Sequence, residues 1–176
     1  MNSIASPEPS IIRETQIAIR VLCLGNDLLA DDSFGSLVAE QIRRFASPEV
    51  EVIATPEAGF HLLDYVLDVH RLIVVDTVIT GIASPGAIHE FHEGDLETLP
   101  GGSSHYVGLH ETLALARCLG LPVADEVIFL AVEPSDCLTV GGAMHPAVRA
   151  AVPSVARMVR DLLHGEKEET GLGIQF

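Results

Sequence analysis

From Val21 to Asp32 the chain reads Val-Leu-Cys-Leu-Gly-Asn-Asp-Leu-Leu-Ala-Asp-Asp. An apolar run stops at Gly25-Asn26, two adjacent carboxylates follow at Asp31 and Asp32, and an apolar segment with helical spacing begins at Phe34. Strand, turn and helix in that order open an α/β unit, a fold class whose ligand sites lie beyond the carboxyl ends of its strands. The turn has neither the glycines nor the lysine of a phosphate cradle. Its acids favour a cation or a basic partner.

The same alternation continues along the chain. Strands are expected over Ile17 to Leu24, Glu51 to Ala54, Leu72 to Asp76, Ala87 to Phe91 and Glu126 to Val132. Between them, helices are expected over Phe34 to Phe45, from Pro56-Glu57 to about Leu67, over Tyr106 to Leu119, and over His145 to Leu163. Ser33 is placed to cap the first of these, and Pro146 fits the first turn of the last. Four consecutive apolar residues, Leu72-Ile73-Val74-Val75, suit a parallel strand buried on both faces. The pattern implies an α/β fold with a mostly parallel, roughly five-stranded twisted sheet covered on both faces. One domain is expected over residues 17–164, with a flexible leader at 1–16, a long polar loop at 92–104 and a mobile tail at 165–176.

Charge and cysteine usage narrow the function. With 25 acidic against 10 basic residues, the formal net charge is −15, which argues against nucleic acid. Lys167 is the only lysine, so Schiff-base and P-loop chemistry lack candidates. Cys23, Cys118 and Cys137 are odd in number and far apart, without a CxxC pair, which disfavours a zinc ribbon or a disulfide framework. Cys23 reads as core. The first residues lack the pattern of a signal peptide, and no apolar run approaches the roughly 18–20 residues that span a bilayer. A cytoplasmic, membrane-free protein is the expectation.

Three side chains are placed to meet at the strand ends: one of the Asp31–Asp32 pair after the first strand, Asp76 at the end of the third, and His105 in the loop before a helix. Two carboxylates and an imidazole with open positions suit a first-row transition metal. Each also has a simpler reading. Asp31 or Asp32 would charge or cap a helix start, Asp76 would cap a turn, and His105 would be solvated. Other constellations fail. His89 and His92 lie three apart on a strand and point to opposite faces. His110-Glu111 lacks the second histidine of HExxH, and neither GxSxG nor GxGxxG occurs.

These blocks together resemble the hydrogenase maturation proteases, endopeptidases that trim the C-terminus of the [NiFe]-hydrogenase large subunit. Leu24-Gly25-Asn26-Asp27-Leu28-Leu29-Ala30-Asp31-Asp32 is similar to the family's GN-x-L-x-x-D-[DE] opening. Leu72 to Asp76 is similar to its second acidic block. Ser104-His105-Tyr106-Val107-Gly108-Leu109 is similar to its histidine block, and Val132-Glu133-Pro134 with Gly141-Gly142 to its fifth-strand exit. The blocks fall in order over roughly residues 18 to 160. Carried over one at a time, the metal-contacting and catalytic residues are Asp32, Asp76 and His105. The resemblance implies a single-domain three-layer α/β/α sandwich and an aspartyl-type endopeptidase, acting as a monomer on a large-subunit precursor. It also implies that nickel arrives with that substrate, with no organic cofactor. A neutral His105 is needed for ligation, so recognition is expected to weaken below a pH of about 6.5. Departures from the family pattern are Ser33 in place of glycine, Thr55-Pro56-Glu57-Ala58-Gly59 in place of Asp-Gly-Gly-Thr, and Gly142-Ala143-Met144 before the last helix.

Two other classes use the same groups. A nickel-dependent assembly chaperone would bind the large subunit without cutting it, and a small-molecule metallohydrolase would hold a metal tightly by itself.

Overall fold

A computed structural model describes residues 17–98 and 104–165. The expected leader, nearly all of the expected tail and part of the polar loop lie outside the described residues. The sheet has five strands: β1 (Ile17–Leu24), β2 (Val50–Thr55), β3 (Val69–Thr77), β4 (Ile88–His92) and β5 (Glu126–Val132). Their order is β2-β1-β3-β5-β4. All neighbours pair in parallel except β4, which runs antiparallel along β5 at the edge. The sequence reading of a mostly parallel five-stranded sheet holds, and β1 and β5 span the expected residues.

Alternation within the strands builds two cores. Val21, Cys23, Ile73, Val75, Leu130 and Val132 point to one face, where they meet α1 (Phe34–Ile42) and α4 (Pro146–His164). Leu22, Leu24, Leu72, Val74, Phe129 and Ala131 point to the other, where α2 (Leu63–Val66) and α3 (Ser104–Cys118) cover them. The central strands are apolar at successive positions because both of their faces are covered. Helix α4 has Pro146 in its first turn, and the His145 ring accepts the Ala147 N–H at 3.2 Å.

Several elements differ in extent from the sequence reading: β3 starts at Val69, α1 stops at Ile42, and a 3-10 helix spans Glu93–Thr98 inside the expected loop. Two differences bear on the site. No helix starts at Pro56-Glu57. The Glu57 N–H is drawn back to the Thr55 hydroxyl at 3.2 Å, and Gly59 adopts φ +60°, a conformation that cannot continue a right-handed helix. A 3-10 turn over Gly59–Leu62 and the single α-turn of α2 take the helix's place. In addition, α3 starts at Ser104, so the backbone of His105 belongs to the first turn of a helix and not to the preceding loop. Gly108 explains how α3 is seated. A Cβ there would lie 2.6 Å from the Cα of Gly59, so two glycines let the turn and the helix touch backbone to backbone. The Thr112 hydroxyl, 3.0 Å from the Gly59 carbonyl, fixes the contact. Among the described residues, no helix is long and apolar enough to cross a membrane.

Candidate active site at the strand ends

Asp31 and Asp32 sit in a 3-10 turn (Asp31–Ser33) that leads directly into α1. The turn folds back on β1 through Gly25, which has φ +143° and whose added Cβ would lie 2.0 Å from the Asp32 carbonyl oxygen. Only glycine allows that approach.

The two acids have different surroundings. The Asp31 carboxylate is fully buried and accepts three backbone N–H groups, from Ser135 at 2.7 Å, Asp136 at 2.9 Å and His145 at 2.6 Å. It ties the loop after β5 and the start of α4 to the loop after β1. Asp32 retains slight exposure. Its Oδ2 accepts the Asn26 N–H at 2.9 Å and its Oδ1 the Thr77 hydroxyl at 3.3 Å.

Asp76 is fully buried near the end of β3, and one of its oxygens accepts the N–H of Thr77 at 2.7 Å. Thr77 therefore joins the two acids, giving its amide to Asp76 and its hydroxyl to Asp32. Strand parity explains the arrangement. Asp76 continues the Leu72–Val74 series on the α3 side of the sheet, and Thr77 continues the Ile73–Val75 series on the α1 side. The site thus straddles the edge of the sheet. Asp76 stands on the face whose covering helix carries His105 in its first turn. The His105 side chain lies outside the described residues. Among the described residues, no group of three or more histidines, cysteines or acids gathers as a metal cage.

Three further polar residues border the site and were not singled out from sequence as site groups. Thr77 is one. The Cys137 sulfur lies 3.6 Å from the Thr77 hydroxyl; burial pushes its thiol up to about 11, and Asp32, Asp31 and Asp76 act in the same direction against the Thr77 hydrogen bond. Cys23, fully inside the core as expected, is pushed by burial up to about 12. Glu133 follows the apolar run of β5 much as Asp76 ends that of β3, a signal already present in the sequence. It is buried and accepts the Thr80 hydroxyl at 2.7 Å together with the N–H groups of Thr80 and Gly81, and His89 lies 3.4 Å away. Burial opposes its charge, yet the hydrogen bonds and His89 prevail and hold its pKa below the ordinary value. Glu133 thereby pins the loop after β3, while His89 stacks on Phe91, two residues along the same face of β4.

The hydrogenase maturation protease family model, HycI, matches residues 36–162. This chain belongs to the hydrogenase maturation protease family. It is 31% identical to the hydrogenase expression/formation protein HupD of Bradyrhizobium diazoefficiens over 143 residues, spanning 78% of this chain and 73% of that one. It is 29% identical to HoxM of Azotobacter vinelandii over 150 residues, spanning 82% and 72%. The hydrogenase maturating endopeptidase HybD of Escherichia coli shares the fold, with a TM-score of 0.73, 23% identity, and coverage of 84% of this chain and 93% of that one. HybD of Thermococcus kodakarensis shares it with a TM-score of 0.62, 22% identity, and coverage of 82% and 98%. The protein is accordingly a peptidase, a hydrolase that serves hydrogenase maturation. The resemblance seen in the sequence blocks and the three-layer α/β/α arrangement agree with this membership.

Proposed function

We propose that this maturation peptidase removes the C-terminal extension of a [NiFe]-hydrogenase large-subunit precursor after nickel has been inserted. The observation that carries the reading is the pairing of Asp32 and Asp76 through Thr77 at the carboxyl ends of β1 and β3. In this reading Asp32, Asp76 and His105 contact the nickel, which belongs to the substrate. The donors fit such a task. Two carboxylates and an imidazole suit a divalent first-row metal, and few fixed ligands leave room for those the substrate supplies. Asp31, held by three backbone N–H groups, shapes the turn and takes no part in contact with the metal.

The nickel acts as the checkpoint, because an unloaded precursor lacks the ion that completes the contact. Once docked, a metal ion polarises a carbonyl or lowers the pKa of bound water, and a neighbouring carboxylate can take the proton that hydrolysis releases. The protein works as a monomer in the cytoplasm, without an organic cofactor. Incubating it with nickel-loaded and nickel-free precursor tests the reading. Only the loaded form is expected to shorten; equal cleavage of both forms, or of neither, contradicts it.

A further inference from the structure

Among the described residues, nine large apolar side chains stand exposed, and five of them follow the carboxyl ends of three neighbouring strands. Leu28, 67% exposed, follows β1; Ile79 and Ile82 follow β3; Leu138 and Val140, 86% and 74% exposed, follow β5. Single apolar side chains are ordinary on a surface, but a group rimmed by polar residues marks a contact surface.

Backbone pairing fixes part of this group. Leu29 and Val140 form an isolated antiparallel bridge, the Gly141 N–H donates to the Leu28 carbonyl at 2.8 Å, and the Ala30 N–H donates to the Thr139 carbonyl at 3.1 Å. Asp136 braces the same loop by accepting the N–H groups of Leu138 and Thr139. The loops after β1 and β5 are therefore one preformed ridge. Both loops also reach the acid pair through residues close in sequence to the exposed ones. Asn26, two residues before Leu28, donates to Asp32, and Cys137, next to Leu138, touches the threonine that joins Asp32 to Asp76.

We propose that Leu28, Leu138 and Val140 are the docking surface for an extended apolar stretch of the precursor polypeptide beside the scissile bond. This rests on the reading of the Asp32–Asp76 edge as the point of cleavage. A peptidase must hold polypeptide on either side of the bond it cuts, and among the described residues the loops after β1 and β5 carry exposed apolar side chains next in sequence to groups that hydrogen-bond at the acid pair. Charge narrows the occupant further. The segments 25–33, 78–87 and 133–145 contain no lysine or arginine but carry Asp27, Asp31, Asp32, Glu133 and Asp136. An anionic lipid surface or an acidic peptide is repelled there. A neutral or basic apolar segment is not.

The double variant Leu138→Ser/Val140→Ser tests the proposal, because both side chains stand in solvent and the fold does not depend on them. With the nickel-loaded precursor as substrate, KM is expected to rise about tenfold or more, from the lost burial of two aliphatic side chains, while kcat stays within about twofold. Leu119→Ser, just past the end of α3, removes an exposed leucine away from the loops after β1 and β5 and should leave KM unchanged. An unchanged KM in the double variant overturns the proposal. So does a wild-type dimer, seen by sedimentation, that the double variant dissolves without a change in KM, since the occupant would then be a second copy. Asp76→Asn separates the two readings. If it is inactive while the double variant keeps its KM, the ridge is wrong and the acid site stands. If it cleaves normally while the double variant has a raised KM, the ridge stands and the acid site falls.

Discussion

Asp76→Asn is expected to lower processing of nickel-loaded precursor by about a thousandfold or more while leaving the fold intact. The substitution changes charge with almost no change of shape. Asparagine keeps a carbonyl oxygen for the Thr77 N–H, so the local hydrogen bond at 2.7 Å survives. What is lost is a fully buried anion at the strand end. A metal ion contributes several kcal/mol of transition-state stabilisation where it polarises the reacting group. At about 1.36 kcal/mol per factor of ten, losing one of its anionic contacts brings the rate down by that margin. Thr77→Val should fall between the variant and the wild type. It removes the hydroxyl that orients Asp32 but leaves both carboxylates and the Thr77 amide in place, and loss of such a support typically costs about 10- to 100-fold. Rescue by Thr77→Ser would identify the hydroxyl as the cause. Circular dichroism and single-turnover rates check the set; near wild-type turnover by Asp76→Asn rules out a role for this acid.

Asp31→Ala has the other large effect, on stability. The carboxylate is fully buried and accepts backbone N–H groups from residues 104, 105 and 114 positions away. Hydrogen bonds to charged groups contribute about 1.5–3 kcal/mol each, and buried donors left without a partner cost energy. Ser135 and His145 are exposed residues, so water replaces part of what is lost. A net loss of about 3–5 kcal/mol is expected, and at about 2–4 °C per kcal/mol for a domain of this size the melting temperature falls by about 10 °C. The apolar ridge should loosen with it, because Asp31 anchors the loop after β5. Thermal unfolding of Asp31→Ala beside Asp32→Ala checks the division of labour. A larger loss of stability for Asp32→Ala than for Asp31→Ala would reverse the roles given to the two acids.

The division between neighbouring acids shows where sequence reading stops. The carboxyl ends of β1 and β5 were legible because Gly25 and Glu133 stop their apolar stretches sharply. Asp32 and Asp76 were legible as acids at strand ends, a position that parallel topology makes informative in itself. The three donors to Asp31 were not, since they come from the far side of the sequence and are backbone groups with no residue signature. A threonine after a strand-end acid reads as ordinary strand; only parity across the sheet shows that the Thr77 hydroxyl and amide serve two different carboxylates. The helix expected from Pro56 failed for a local reason, the left-handed conformation of Gly59, which is used for close contact with Gly108 and cannot be inferred from apolar spacing. His105 moved from loop to helix because α3 begins two residues earlier than its apolar pattern.

The claim that this chain's own residues meet a nickel ion carried by the substrate can be measured at the metal. Nickel X-ray absorption spectra should be recorded for loaded precursor alone and for loaded precursor freeze-quenched with the peptidase within the first turnover. The expected result is a gain of oxygen and nitrogen neighbours around nickel in the mixture, reduced when Asp32→Ala or Asp76→Asn replaces the wild type. Identical nickel spectra with and without the wild-type peptidase, under conditions where the precursor is nonetheless cleaved, would contradict it.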